Sequence, residues 1–186
     1  MGIEIEKKYR LTREQRAKLL DRLAEVGATP HGKEFEENIL YDGGRLDLQT
    51  EVLRLRRVGE RAILTYKQRF AGTSAIRHNR EEETVVEDAE ALTAILEALG
   101  FAPALVYEKR RATWQVAGVE LALDELPFGL YLEIEGGEQA IREAETLLDL
   151  AEAEAEPDTY PELTRRHGEQ HGDLIEARFQ MRLPEA

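Results

Sequence analysis

Along Gly2–Leu11 (GIEIEKKYRL) apolar and charged residues alternate with a period of two. Side chains i, i+2 and i+4 of a strand share a face. Glu4, Glu6 and Lys8 therefore form one row, while Ile3, Ile5 and Tyr9 point the other way. The pattern recurs down the chain. In EVLRLRRV (51–58) Leu53 and Leu55 alternate with Arg54 and Arg56, and Arg57 breaks the outer face near a turn. In ILTYKQR (63–69) Leu64 and Tyr66 oppose Thr65 and Lys67. REEETVV (80–86) puts Glu81 and Glu83 on one face, and VYEKRRATW (106–114) puts Lys109 and Arg111 beside Tyr107. ELALDE (120–125) opposes Leu121 and Leu123 to Ala122 and Asp124, and LYLEIE (130–135) opposes Leu132 and Ile134 to Glu133 and Glu135.

One such row alone is the wet face of a one-sided antiparallel sheet. The set is different. Its polar positions are almost all fully charged, and the sign segregates by strand. The first, fifth, seventh and eighth strands are acidic and the third, fourth and sixth are basic, with Lys8 closing an acidic row.

Strands are predicted near 2–10, 37–42, 51–58, 61–69, 76–87, 104–116, 118–125 and 129–136. Gly43-Gly44, Val58-Gly59-Glu60, Ala71-Gly72, Ala117-Gly118 and Pro127-Phe128-Gly129 punctuate them. A helix is predicted over Thr12–Val26, with Thr12 and Gln15 as a capping box. Others are predicted over Asp88–Leu99, over about Glu138–Leu150, and from Pro161 through Arg166. Ala151–Pro157 (AEAEAEP) reads as a helix end running into a loop, and the tail, about 167–186, reads as weakly patterned and mobile. The expected fold is α+β: one domain, 1–186, built on an eight-stranded antiparallel β-barrel with helices packed outside.

If the charged faces point inward, the lumen holds seven carboxylates and six cations. Enclosed charges must be hydrated, paired or liganded, and the outward apolar faces need covers, which the amphipathic helices supply. Clustered carboxylates suit magnesium or manganese. Clustered lysines and arginines suit phosphate oxygens, which arginine grips bidentately. Together they suit a metal-bound polyphosphate.

The net charge of −13 opposes general affinity for nucleic acid or an anionic membrane. The chain has no cysteine, which excludes disulfides and cysteine-ligated zinc and fits a reducing cytoplasm. No apolar run approaches spanning length. A soluble, unprocessed cytoplasmic protein, monomer or homodimer, with no nucleic-acid or membrane partner is expected. His167 and His171 lie four apart, but two ligands without a third make a poor metal site. Trp114 reads as exterior packing, Tyr41 and Asp42 as structural, and Gly43-Gly44 as a turn; the Walker pattern is absent.

The ordered motifs resemble a CYTH-domain protein of the triphosphate tunnel metalloenzyme superfamily. Glu-x-Glu-x-Lys at Glu4, Glu6 and Lys8 opens the series. ENILYDGG, LRLRR, LTYKQR, REEE before a helix ending LEALGF, EKRR and LALDELPFGLYLEIEG follow, and PDTYPEL resembles the end of bacterial members. The likeness runs from Glu4 to about Leu163. It implies an eight-stranded tunnel that binds a triphosphate with Mg2+ or Mn2+. By it, Glu4, Glu6, Glu81, Glu83, Asp124, Glu133 and Glu135 belong to the metal and water side, and Lys8, Arg54, Arg56, Lys67, Lys109 and Arg111 to the triphosphate side. Glu4, Glu6 and Lys8 are the expected catalytic group. Two departures stand out. Some relatives carry a third acid where this chain has Val85, and a late basic residue that closes the tunnel has three candidates here, Arg165, Arg166 and Arg178. The register of REEE admits Glu82 inward in place of Glu81 and Glu83; the position of the following helix favours the pair.

The expected partner is a triphosphate-containing small molecule: inorganic triphosphate, thiamine triphosphate or a nucleoside triphosphate. Hydrolysis is the leading expectation. A class IV-type adenylate cyclase releasing pyrophosphate, and a non-catalytic polyphosphate or nucleotide binder, are the alternatives.

Overall fold

The computed structural model describes residues 2–70 and 75–180. The Ala71-Gly72 turn and the last six residues of the tail lie outside the described residues. The barrel strands are β1 (Gly2–Leu11), β2 (Thr29–Gly43), β3 (Glu51–Val58), β4 (Arg61–Arg69), β5 (Arg77–Val86), β6 (Phe101–Val116), β7 (Val119–Leu126) and β8 (Gly129–Glu135). They pair in the order β6-β2-β3-β4-β5-β1-β8-β7, and β7 pairs back to β6. Every pairing in this ring is antiparallel. Closure leaves no open sheet edge around the ring.

The period-two alternation turns the charged rows inward and the apolar rows outward. Helices α1 (Arg13–Glu25) and α3 (Glu138–Leu147) cover the outside of β1, β7 and β8. There Leu19, Leu23, Ile141 and Ala144 pack with Leu121, Leu123, Leu132 and Ile134, and Trp114 packs against the same cluster. Helix α2 (Ala89–Ala98) sets Leu96 against Tyr41, Leu55 and Ala62. Local chemistry starts the helices where expected. Thr12 and Gln15 form the capping box of α1, and the Asp88 carboxylate accepts from Glu90 N and Ala91 N. Helix α4 (Tyr160–His167) begins at Tyr160, one residue before Pro161, because Thr159 caps it reciprocally with Glu162.

The structure corrects three expectations. Strand β2 begins at Thr29, not near residue 37. Its first part passes through Pro30 and Gly32 with a register shift and still pairs with β6. The AEAEAEP stretch contains a short strand, β9 (Glu154–Ala155), that pairs with β1. The tail is ordered through residue 177: β10 (Glu169–His171) and β11 (Leu174–Ala177) form a hairpin, and β11 lies parallel to β6.

These additions have one physical reason. β1 pairs with β5 only over Gly2–Glu6, and β6 pairs with β7 only from Arg110 onward. Strands splay at that end of the barrel. β9 takes the freed edge of β1 at Tyr9 and Arg10, and β11 takes the freed edge of β6 at Leu105–Tyr107. Helix α4 lies across the same end, where Tyr160 and Leu163 pack with Leu40, Leu105, Tyr107 and Tyr131.

The cover helices should be essential to an inside-out charge distribution. Ile141 has no exposed surface. Ile141→Ala is expected to lower stability by about 2–5 kcal/mol, read as a reduced urea midpoint with an unchanged slope.

Candidate functional site

The inward rows enclose a cavity of about 560 Å³. Twelve of the thirteen residues singled out from the sequence line it: Glu4, Glu6, Lys8, Arg54, Arg56, Lys67, Glu81, Glu83, Lys109, Arg111, Glu133 and Glu135. The REEE register is settled, since Glu81 and Glu83 line the cavity and Glu82 does not. Of the late basic candidates, Arg165 reaches the lining. Arg166 instead pairs with Asp158, and Arg178 with Glu37, Glu108 and Glu176.

The thirteenth residue, Asp124, sits one layer back. Its carboxylate accepts from Arg111 Nε at 2.7 Å, Arg111 NH2 at 2.6 Å and the Tyr160 hydroxyl at 2.6 Å, with Lys109 Nζ at 3.4 Å. In this arrangement it holds cations in place and does not itself face the cavity.

Strand order makes the segregation of sign spatial. β6, β2, β3 and β4 are neighbours and carry Lys109, Arg111, Arg54, Arg56 and Lys67. β5, β1, β8 and β7 are neighbours and carry Glu81, Glu83, Glu4, Glu6, Glu133, Glu135 and Asp124. A basic arc thus faces an acidic arc, and salt bridges cross between them. Arg56 NH2 lies 2.7 Å from Glu83, Lys67 Nζ 3.1 Å from Glu81 and in contact with Glu4, and Arg111 NH2 2.5 Å from Glu133.

Three residues of the site were missed in the sequence. Glu36 of β2 is 1% exposed and places its carboxylate among Lys109 (3.4 Å), Arg111 (3.8 Å) and Arg56 (4.0 Å). It shares a face with Asn38 and Leu40, a signal lost by starting the strand at 37. Arg77 of β5 pairs with Glu6 at 3.3 Å. Tyr160 arrives from α4, outside any barrel row, and no periodicity announces it.

Burial and charge set the protonation landscape. Burial would push the Glu36 carboxyl up, but Lys109, Arg111 and Arg56 overcome it and hold the group at about 2. Glu133 likewise lies well below the usual carboxylate range: burial opposes ionisation, and Lys8 and Arg111 outweigh it. Burial lowers Lys8 to about 8 against the pull of Glu133. Across the cavity, burial first and then repulsion from Glu4 and Glu120 raise Glu135 to about 7. Burial also raises Glu4.

That corner is short of positive charge. Glu4, Glu6, Glu81 and Glu135 come from three adjacent strands, and the ion pairs they make share only Lys67, Arg77 and Arg54 among the described residues. Hard carboxylate oxygens in excess over cations fit a hard divalent ion such as magnesium or manganese. As the side chains stand, turned toward Lys67, Arg56 and Arg77, no three acidic or histidine groups among the described residues converge on one point. The His167/His171 pair is part of no such group either.

Comparison with known proteins gives the following. A family model described as the CYTH domain matches residues 2–164. Among solved structures, a protein of Pyrococcus horikoshii OT3 is 26% identical, covers 86% of this chain and 98% of its own, and superposes with a TM-score of 0.74. A second protein of that organism is 26% identical over 88% of this chain and 98% of its own, with a TM-score of 0.71. A candidate adenylyl cyclase from Hippeastrum, reported to have a dominant triphosphatase activity, shares the fold at 20% identity over 89% of this chain and 96% of its own, with a TM-score of 0.68. No curated protein matches the sequence.

The Glu36 network yields a pH test. A folded-state pKa held below the unfolded value of roughly 4.3 contributes stability at higher pH, and that stability is lost as pH falls toward the folded value of about 2. Glu36→Gln is therefore expected to cost on the order of 3 kcal/mol at pH 7. The gap to the parent should close between about pH 4 and pH 2, followed by denaturant titration at a series of pH values. A constant gap across that range would contradict the assignment.

Proposed function

This chain belongs to the CYTH domain family, and from that premise we propose that it hydrolyses a triphosphate held in the barrel with a divalent metal ion. The observation that carries the reading is the basic arc facing the acidic arc across one cavity. Triphosphate bears both kinds of need: anionic oxygens to be gripped, and charge to be neutralised as a phosphoanhydride breaks. Phosphoryl transfer asks mainly for positioning and electrostatic stabilisation.

In this reading Arg54, Arg56, Lys67, Lys109, Arg111 and Lys8 grip the phosphate oxygens. Arg56 and Lys67 exchange their present partners, Glu83 and Glu4, for phosphate. Glu4, Glu6, Glu81, Glu83, Glu133 and Glu135 would hold Mg2+ or Mn2+, with Asp124 acting from behind. The bound ion supplies charge neutralisation at the phosphate oxygens. Glu4 or Glu6 orients a water and accepts its proton as the water oxygen bonds to a terminal phosphorus. The bridging P–O bond breaks and its electron pair leaves with the remaining diphosphate, stabilised by the cations. That group is pyrophosphate for inorganic triphosphate and the substituted diphosphate for a thiamine or nucleoside triphosphate. Lys8, between the acidic wall and the phosphate chain, neutralises charge on the reacting group. The partner is a small molecule, and among the described residues no helix is long and apolar enough to cross a membrane.

Hydrolysis is preferred to cyclisation because the Hippeastrum protein, described as a candidate cyclase, has a dominant triphosphatase activity. A panel of inorganic, thiamine and nucleoside triphosphates with magnesium or manganese tests this. Orthophosphate release is expected; cyclic AMP with pyrophosphate from ATP would establish the cyclase reading, and binding without turnover the non-catalytic one. Arg56→Ala and Lys67→Ala are each expected to lower kcat/KM by about 10²–10³ with the far-ultraviolet circular dichroism unchanged. Undiminished turnover in both would sink the tunnel assignment.

A further inference from the structure

Lys8 stands on the acidic arc, and its side chain is 1% exposed. Three groups replace water around its ammonium. Glu133 Oε1 lies at 3.4 Å, the Asp158 carbonyl oxygen accepts from Nζ at 3.2 Å, and the Tyr160 ring centroid lies 3.7 Å beneath it. The same ring has Lys109 Nζ at 5.2 Å. At its far end the Tyr160 hydroxyl donates to Asp124 Oδ2 at 2.6 Å, and that carboxylate holds Arg111. One side chain thus touches the ammonium of the acidic arc and two cations of the basic arc, directly or through Asp124.

The chain delivers this ring under tight control. β9 pairs with β1 at Tyr9 and Arg10, and the Glu156 amide donates to the Lys8 carbonyl at 2.9 Å. Thr159 and Glu162 then start α4 with a capping box, fixing Tyr160 at its first position. Tyr107 and Tyr131 wall the ring at centroid separations of 6.0 and 5.6 Å. Tyr160 itself is 5% exposed.

We propose that Tyr160 is a positioning residue of the triphosphate site: its π-face seats the Lys8 ammonium, and its hydroxyl fixes Asp124 and through it Arg111. The inference rests on the triphosphate reading above. An aromatic face replaces lost hydration with electrostatic attraction that strengthens on desolvation, so the ring seats the buried ammonium at the cavity wall.

The test is calorimetric binding of inorganic triphosphate in the presence of a chelator, which reads the cations without turnover. Tyr160→Leu is expected to weaken binding by about tenfold or more, and Tyr160→Phe, which keeps the ring but removes the hydroxyl bond to Asp124, by an intermediate factor of about three. Phenylalanines of increasing fluorination at position 160 keep the ring's shape while draining its π-face; affinity should fall stepwise along that series. Leu163→Ala, on the same helix but away from Lys8, should lower the Tm and leave affinity unchanged. If Tyr160→Leu does not fold, the fluorination series alone decides. A flat series, or parental affinity in Tyr160→Leu, overturns the role of Tyr160 while leaving the triphosphate reading intact. Failure of the parent protein to bind triphosphate both with the chelator and with magnesium overturns both.

Discussion

The structure depends on a problem of charge enclosed at low dielectric. An unpaired ion in a protein interior is far costlier than a paired one, yet this barrel turns its charged rows inward. The arrangement holds because opposite signs occupy opposite walls, and because each wall contains an exception. Glu36 stands among the cations of the basic arc, and Lys8 among the carboxylates of the acidic arc. Each exception lowers the repulsion of its own wall while leaving the wall's overall sign intact. The same inversion explains the helices. With apolar rows outside, α1, α2 and α3 supply a hydrophobic layer over them.

The splayed end of the barrel ties the fold to the site. A ring whose strands differ in length leaves backbone donors and acceptors without partners where neighbours part. β9 and β11 meet that need on β1 and β6. The segment that patches the sheet also carries Asp158 and Tyr160 to Lys8 and Thr159, Tyr160 and Arg165 to the cavity lining. Closing the barrel and completing the cation cluster are therefore one structural event, performed by a stretch whose composition suggests neither.

The alternation at Glu4-Glu6-Lys8 and its repeats was legible because period-two patterning is a local property, and strand faces follow from it directly. Burial of Leu55, Leu121 and Ile134 beside inward Arg54, Ala122 and Glu133 is its direct consequence. Glu36 escaped because Pro30 and Gly32 mimic a loop, while the partner β6 tolerates a register shift there. Strands β9, β10 and β11 escaped for a different reason. They are two to four residues long, and their conformation is imposed by edges that other strands leave open. Asp124 was placed on the correct face, but facing inward is not the same as reaching the cavity. Its carboxylate is taken up by Arg111 and Tyr160, and Tyr160 arrives only with the packing of α4.

The cross-wall salt bridges have a consequence for binding. Arg56 with Glu83, and Lys67 with Glu4 and Glu81, already satisfy one another. Under the proposed function a triphosphate must take these cations from the carboxylates, so its affinity is a difference between two sets of ion pairs, not the sum of new ones. The carboxylates it frees are those proposed to hold the divalent ion, and an ion bound there in turn releases the cations that grip phosphate. Each ligand removes part of the other's cost, and linkage makes that help reciprocal. A tunnel with walls of opposite sign is thus self-neutralised when free of ligand and favours taking up metal and triphosphate together over either alone.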